Sequence, residues 1–216
     1  MNRAGIVRTA TVAGLAAALG LAVAAPAMAA PGLVTTVADL NGDGEIETVN
    51  AQLVGDGDQL ISATVDGTYT SIHLPADSQF GIEAPRVADL NGDGRAELLV
   101  AQSIGANTTF FAVLHFDGRN LSQVVGADDQ PFTVAEGGGV AAHLGYQCTP
   151  LEGGRAFATV AAESDDVGRP ADQLTYSGTR TVYTLRDGAL SVYDTVPFSG
   201  RPVTDPVLDA DSAGCA

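Results

Sequence analysis

The sequence has 216 residues, of which 10 are Lys or Arg and 26 are Asp or Glu, giving a formal net charge of −16. A surface so acidic repels nucleic acid and anionic lipid and favours cations and basic partners. The length is sufficient for one domain with a substantial core, or for several small repeats stacked together.

The first stretch of the chain has the pattern of a secretory signal peptide. Arg3 and Arg8 precede an apolar, Ala-rich run over residues 11–25, and Ala27-Met28-Ala29 is a small-residue cleavage motif. This order predicts a signal peptide over residues 1–29 and a single exported domain over residues 30–216. A membrane anchor is the alternative, but the apolar run is shorter than the roughly 20 residues that a span needs. We therefore expect a secreted, extracellular protein without a membrane span.

The octapeptide VADLNGDG occurs twice, at residues 37–44 and 87–94. A repeat at this spacing is typical of solenoids, propellers or arrays built from one supersecondary unit. Apolar, β-branched runs follow each copy and predict strands at residues 45–54, 59–65 and 68–74, and again at 95–104, 109–116 and 120–125. The dipeptides Asp66-Gly67 and Asp117-Gly118 predict a hairpin turn before the last strand of each copy.

A third, less regular copy follows. The segment GRAFATVA at residues 154–161 aligns with GRAELLVA at 94–101, Val140-Ala141 aligns with Val87-Ala88, and Asp187-Gly188 predicts another hairpin. Between the two aligned segments the loop has gained seven residues, and residues 164–178 are expected to form an extended polar loop. The fold predicted is all-β, a propeller-like array of about three four-stranded antiparallel blades, with repeats at about 33–84, 85–136 and 137–200 and a tail at 201–216.

Closed propellers usually have four to eight blades. Three units therefore predict an incomplete or unusually small propeller, a closed assembly of two chains, or a further unit hidden in the tail.

Each octapeptide opens a loop with alternating oxygen-bearing residues. Calcium takes six to eight oxygen ligands, and an acidic loop that curls around a glycine suits it better than it suits magnesium, which requires a tight octahedron. Side chains at positions 1, 3, 5 and 9 and a backbone carbonyl at position 7 predict two Ca²⁺ sites. The candidate ligands are Asp39, Asn41, Asp43, Glu45 (carbonyl) and Glu47, and in the second copy Asp89, Asn91, Asp93, Arg95 (carbonyl) and Glu97.

Two other interpretations of these loops are less favoured. An EF-hand needs a bidentate acid at position 12 and helices on both sides, whereas position 12 is Asn50 or Val100 and the flanks are predicted strands. The other alternative is an ordinary solvated turn rich in Asp, Asn and Gly. The occurrence of two identical copies in matching sequence contexts argues against it. The side chain at position 7 is expected to be free to vary, because Glu45 is acidic and Arg95 basic.

The segments VADLNGDGEIETVNAQ and VADLNGDGRAELLVAQ resemble the FG-GAP and VCBS repeats of integrin-type β-propellers. The resemblance covers about residues 33–125. It implies that a calcium loop joins the first two strands of a blade and that the ligands are the ten residues named above. One departure is Glu at position 9, which is more usually Asp in the family and which changes how the side chain reaches the ion.

The third copy lacks the metal ligands, since Ala142 falls where Asp89 would and Phe157 where Glu97 would. Two cysteines, Cys148 and Cys215, remain, and an isolated pair in an exported protein predicts one disulfide. We expect this bridge to replace calcium in the loop of the third unit and to pin the tail onto that unit.

Sequence motifs of catalysis are absent. There is no G-x-S-x-G, no H-E-x-x-H and no phosphate loop, and His73, His115 and His143 stand singly among predicted strands. The expectation is therefore a non-enzymatic, calcium-binding β-repeat module that binds an extracellular protein or glycan, or has a structural role. The alternative is a small secreted hydrolase or lyase acting on an extracellular polymer.

Overall fold

The computed structural model describes residues 32–77 and 81–216, so the predicted signal peptide lies outside the described residues. The first unit contains β1 (Leu33–Ala38), β2 (Glu47–Gly55), β3 (Asp58–Val65) and β4 (Thr68–Pro75). The second contains β5 (Arg86–Ala88), β6 (Glu97–Ile104), β7 (Thr108–Phe116) and β8 (Leu121–Gln123), and β9 (Thr133–Gly137) follows it. The third contains β10 (Ala142–Leu151), β11 (Gly154–Ser164), β12 (Thr175–Arg186) and β13 (Ala189–Pro202).

Short 3-10 helices at Ala171–Gln173, Pro206–Leu208 and Ser212–Cys215 complete the described parts of the chain, which contain no α-helix. The all-β prediction is confirmed. None of the helices described is long and apolar enough to cross a membrane.

The first unit is a sheet of its own, with strands in the order β1-β2-β3-β4 and antiparallel neighbours throughout. Its predicted strands are confirmed to within two residues at each end. Asp66 and Gly67 both have positive φ, 49° and 73°, and they connect β3 to β4 in a two-residue turn. An Asp-Gly pair tolerates this backbone, which explains why the turn could be predicted from two letters.

The second and third units form one nine-stranded sheet rather than two blades. Two short strands share the free edge of β7: β8 pairs with residues 114–116 and β9 with residues 108–112. β9 also meets β10 through the pair Gly137 and Leu144. The predicted fourth strand at 120–125 is therefore shorter, because Val125 turns away from β7 and exchanges hydrogen bonds with Gly188 and Leu190 of the third unit.

The second unit lies between the other two, and its central strand β6 is buried on both faces. Leu98 and Val100 point into a core with Val49 and Ile61 of the first unit. Leu99, on the opposite face, packs in a second core. That second core includes Tyr146, Cys148, Phe157, Leu185 and Leu190 of the third unit. Burial on both faces accounts for the continuous apolar sequence LLVA at residues 98–101, where a strand with one solvent-exposed face would alternate.

The third unit has the predicted four strands, but its beginning was predicted wrongly. Val140 and Ala141 lie in a turn, and β10 occupies the place of the lengthened loop and pairs along its whole length with β11. With no carboxylate at Ala142 to organise a loop, the chain continues as a strand whose Tyr146 and Cys148 fill the core. The Asp187-Gly188 hairpin is confirmed, and the polar insertion is a loop only as far as Leu174, after which β12 begins.

The tail covers the outer face of the third unit. Leu208 is buried in a third cluster with Val160, Ala162 and Tyr176. Arg180 of β12 donates to the carbonyl of Asp209 at 2.6 Å. The far side of the third unit is thus covered by the chain's own residues.

At the other end of the stack, the side of β1–β4 opposite the first core faces solvent. We call it the outer face of the first sheet. Alternation along the strands places four neutral polar side chains in a row across its middle, namely Thr35, Asn50, Ser62 and Ser71.

Candidate metal centre

Two loops that begin with the same sequence have the same internal hydrogen bonds. Loop 1 (residues 39–46) joins β1 to β2, and loop 2 (residues 89–96) joins β5 to β6. The carboxylate of Asp39 accepts from the amides of Gly42 and Gly44 at 2.7 and 2.9 Å. That of Asp89 accepts from Gly92 and Gly94 at 2.6 and 3.3 Å. The residue at position 1 therefore curls each loop, as Asp side chains commonly do in turns.

Positions 3 and 5 continue this pattern. In loop 1 the Asn41 Oδ1 accepts from the Asp43 amide at 3.1 Å, and Asp43 Oδ1 accepts from the Glu45 amide at 2.7 Å. In loop 2 the corresponding distances, at Asn91 and Asp93, are 3.0 and 2.8 Å. The Glu45 amide, followed by the Asn41 side chain, lowers the pKa of the Asp43 carboxyl.

Position 9 is buried in both copies. Glu47 Oε2 accepts from the Leu40 amide at 2.8 Å, and Glu97 Oε2 accepts from the Leu90 amide at 2.9 Å. Each Glu thus reaches back to position 2 of its own loop and closes it. Burial raises the pKa of Glu97 to about 8; the Leu90 hydrogen bond opposes this rise, and the nearby charges of Asp93 and Asp89 add to it.

Each loop lies on the next unit of the array. The Asp39 carbonyl accepts from the Ala96 amide at 2.8 Å, and the Asn91 carbonyl accepts from the Arg155 amide at 2.8 Å. Gly42 and Gly92 have φ of 79° and 76°. A Cβ on Gly42 would lie 3.0 Å from Cγ of Arg95, and one on Gly92 would lie 3.1 Å from the Arg155 nitrogen.

Glycine at position 4 is therefore required for two reasons: it tolerates the left-handed backbone, and it has no Cβ to obstruct the contact with the following unit. The contact also corrects the expectation for position 7. Glu45 and Arg95 are both exposed, but Cγ of Arg95 lies against Gly42 of loop 1, as the backbone and Cγ of half-buried Arg155 lie against Gly92 of loop 2. The alignment of residues 94–101 with 154–161 is consistent with this equivalence, because it places Arg155 at the position of Arg95.

The donors offered by the two loops fit a hard cation, since every side-chain donor is a carboxylate or amide oxygen. Asn41 and Asp43 are hydrogen-bonded neighbours, as are Asn91 and Asp93, whereas Glu47 and Glu97 are held at position 2. Within residues 32–77 and 81–216, no group of three or more His, Cys, Asp or Glu side chains is placed so that it could hold a metal ion. Calcium binding by these loops therefore stays a prediction.

The predicted disulfide between Cys148 and Cys215 is present. Its location differs from the expectation, because Cys148 lies within β10, opposite Phe157, and not in a loop. The bridge does pin the tail. The Asp89 amide donates to the Cys215 carbonyl at 2.8 Å, and the Arg155 guanidinium contacts the carbonyls of Asp89 and Cys215 at 3.1 and 3.3 Å. The tail is thereby held against the start of loop 2.

Residues 39–100 match the family model of the FG-GAP-like repeat. The chain contains an FG-GAP-like repeat. The matched segment begins at the first residue of loop 1 and ends in β6, so it includes both loops and most of the first sheet. The resemblance over residues 33–125 is thus confirmed for residues 39–100. No curated protein and no solved structure matched the chain.

One cluster of titratable side chains beside loop 2 could not be predicted from the sequence. A cavity of about 120 Å³ is lined by His115 and Asp117 of the second unit, Asp187 of the third, and Asp93 and Glu97. Burial lowers the pKa of half-buried His115, opposed by the charges of Asp117 and Asp187. The Asn120 amide is the largest cause lowering the pKa of Asp117. The grouping depends on the contact between units, so spacing along the chain could not have revealed it.

Proposed function

We propose that the chain is a secreted calcium-binding β-repeat module with a binding or structural role at the cell exterior, and that it is not an enzyme. The observation on which this rests is the duplicated loop. Two copies have the same oxygen donors, the same amide-bound Asp at position 1 and the same buried Glu at position 9. Each lies against the following unit, where a cation would fix loop and unit together.

The residues that would hold the ion are Asp39, Asn41, Asp43, the Glu45 carbonyl and Glu47 in loop 1, with their counterparts Asp89, Asn91, Asp93, the Arg95 carbonyl and Glu97 in loop 2. Bound calcium would offset two of the three negative charges of the ligand carboxylates in each loop and so relieve their mutual repulsion. At ten times its Kd a ligand stabilises the folded state by about 1.4 kcal/mol per site.

Secretion is supported by the signal-peptide pattern, by a disulfide, which forms in oxidising compartments, and by the FG-GAP-like repeat, which is typical of extracellular proteins. Expression of the full chain in a host with general export tests this. The mature protein should be recovered outside the cytoplasm with its N-terminus near Ala30. Retention of the uncleaved chain in the cytoplasm would contradict it.

A non-catalytic role is supported by the separation of the three histidines. His73 lies in β4 beside Asp58, His115 in β7, and His143 in β10 against the Leu208 carbonyl. The cavity at His115 does gather carboxylates, but it shares Asp93 and Glu97 with loop 2. We therefore assign it to the candidate metal centre.

Calorimetric titration with calcium tests the metal proposal. We expect two sites in the native protein, with Kd of roughly 0.1 to 1 mM as in other extracellular modules. One site should remain in Asp39→Ala or in Asp89→Ala, and none in the double variant. Asp56→Ala, in the exposed β2–β3 turn, is the control and should retain both. Absence of calcium heat together with an unchanged melting temperature in chelator would refute calcium as a structural ion.

A further inference from the structure

The two ends of the stacked units differ in what covers them. The tail buries the outer face of the third unit around Leu208, whereas no described segment packs over the outer face of the first sheet. The first sheet is therefore the end of the array with a free face.

The middle of that outer face is neutral and polar, whereas an ion pair between His73 and Asp58 lies to one side of it. Its central row consists of Thr35, Asn50, Ser62 and Ser71, and within the described chain no hydrogen bond joins the hydroxyl and amide groups of these side chains to other protein groups. In a chain with 26 acidic residues, this row contains none. The hydroxyl and amide groups are thus available to a ligand.

A groove of about 420 Å³ runs along the end of this face nearest loop 1. Thr48, Thr64 and Tyr69 line it together with Asn50 and Ser62, and its other lining residues include the exposed Ile46 and the acids Glu45, Glu47 and Asp66. Tyr69 is 63% exposed. An aromatic ring held open to solvent on a strand, beside a row of unpaired hydroxyl and amide groups, offers a stacking surface together with hydrogen-bonding groups.

We propose that the outer face of the first sheet binds a neutral oligosaccharide, with Tyr69 as its stacking platform. This rests on the binding role proposed above and names its partner class. The apolar C–H face of a sugar ring packs on the tyrosine, while sugar hydroxyls pair with the amide and hydroxyl side chains of the central row and with the exposed carboxylates of the groove. Both kinds of contact are needed, because a sugar has both kinds of surface.

Other occupants fit the face less well. Uronic-acid polymers and nucleic acids are repelled by the net charge of the chain. A basic protein would meet acids in the groove but none in the central row. A second copy of this chain would have to bury the unpaired hydroxyl and amide groups of the row, which costs free energy unless each finds a partner.

The test is binding of the native protein to an array of neutral and uronic-acid-containing oligosaccharides. We expect binding to neutral members alone, and a roughly tenfold weaker Kd in Tyr69→Ala, the size of effect typical of an aromatic hot spot. Tyr193→Ala is the matched control, because Tyr193 is also a strand tyrosine, is also 63% exposed, and lies on β13. It should bind like the native protein.

Asn50→Ala with Ser62→Ala removes two groups of the central row and should also weaken binding, with an unchanged melting temperature showing that the sheet is intact. The proposal is overturned by binding to no neutral oligosaccharide, by equal losses in Tyr69→Ala and Tyr193→Ala, or by a dimer that forms in the native protein and is lost in Asn50→Arg.

The Asp89→Ala variant separates this inference from the calcium proposal. Asp89 lies in loop 2, in the second unit, so its loss should abolish one calcium site and leave sugar binding unchanged. Two calcium sites without sugar binding would refute the inference alone. Sugar binding without calcium heat would refute the metal proposal alone.

Discussion

Replacement of the buried carboxylate Glu97 with Gln should stabilise the calcium-free protein at neutral pH. Glu97 is only 4% exposed, and its surroundings raise its pKa from 4.5 to about 8. Because the folded-state pKa is raised, the group stabilises the fold fully below pH 4.5, and this contribution is lost as pH rises towards 8. A glutamine at this position has no charge to bury, and its amide oxygen can still accept the hydrogen bond from Leu90.

The magnitude follows from proton linkage. At pH 7 the carboxyl is ionised in the unfolded chain, whereas folding requires it to be protonated or to hold a buried charge, at a cost of up to about 3 kcal/mol. The native protein should thus lose stability relative to Glu97→Gln between pH 4.5 and 8 in chelator. Glu163→Gln, at an exposed position of β11, removes the same charge without burial and should show no such gain.

Calcium should narrow this difference in stability by about 1.4 kcal/mol, the contribution of one site. A cation beside Glu97 favours its ionised form, so added calcium should raise the stability of the native protein by two sites and that of Glu97→Gln by one. Urea denaturation at pH 4.5, 7 and 8, in chelator and in millimolar calcium, measures both effects. The reasoning is refuted if Glu97→Gln is no more stable than the native protein in chelator at pH 7. Equal calcium gains in both proteins would show that Glu97 is no ligand.

Three further outcomes are expected. Gly94→Ala should lower the free energy of unfolding by about 1 kcal/mol, because alanine is strained at positive φ. Gly92→Ala should lower it more in urea denaturation, because only the Cβ at this position would press on Arg155. Equal losses in the two variants would contradict the contact between loop 2 and the third unit. Cys148→Ser with Cys215→Ser should lower the free energy of unfolding by about 2 to 4 kcal/mol. In that variant hydrogen exchange should accelerate at the Asp89 amide, which donates to Cys215, and stay unchanged at the Ala96 amide, which donates to loop 1.

The parts of the fold that could be predicted are those whose signal is local. An Asp-Gly pair defines a tight turn by its own backbone tolerance, and the apolar run of residues 59–65 between two turns predicts a strand. The shared structure of the two loops could be predicted from spacing because positions 1, 3 and 5 hydrogen-bond within the same loop, whereas their role as metal ligands stays a prediction. The disulfide could be named because only two cysteines exist.

The parts that could not be predicted depend on a neighbouring unit. β9 is a five-residue strand, TVAEG, whose pairing partners in β7 and β10 are set by the packing of the second unit on the third. The strand β10 takes the place of a loop because the core has room for Tyr146 and Cys148 there. Neither fact is encoded in a short window of sequence.

Position 7 of the loop shows how the two kinds of information combine. Glu45 and Arg95 occupy the same position of the loop but have opposite charges, which suggests that the residue type there is not constrained by the loop itself. Viewed across repeats, Arg95 lies against Gly42 and Arg155 against Gly92, whereas loop 1 belongs to the first unit described and no described loop lies on Glu45. The residue at position 7 is therefore constrained by the unit before it, and each loop couples its own candidate metal centre to the next unit. Loss of calcium at loop 1 should consequently loosen the contact between the first and second units, and loss at loop 2 that between the second and third.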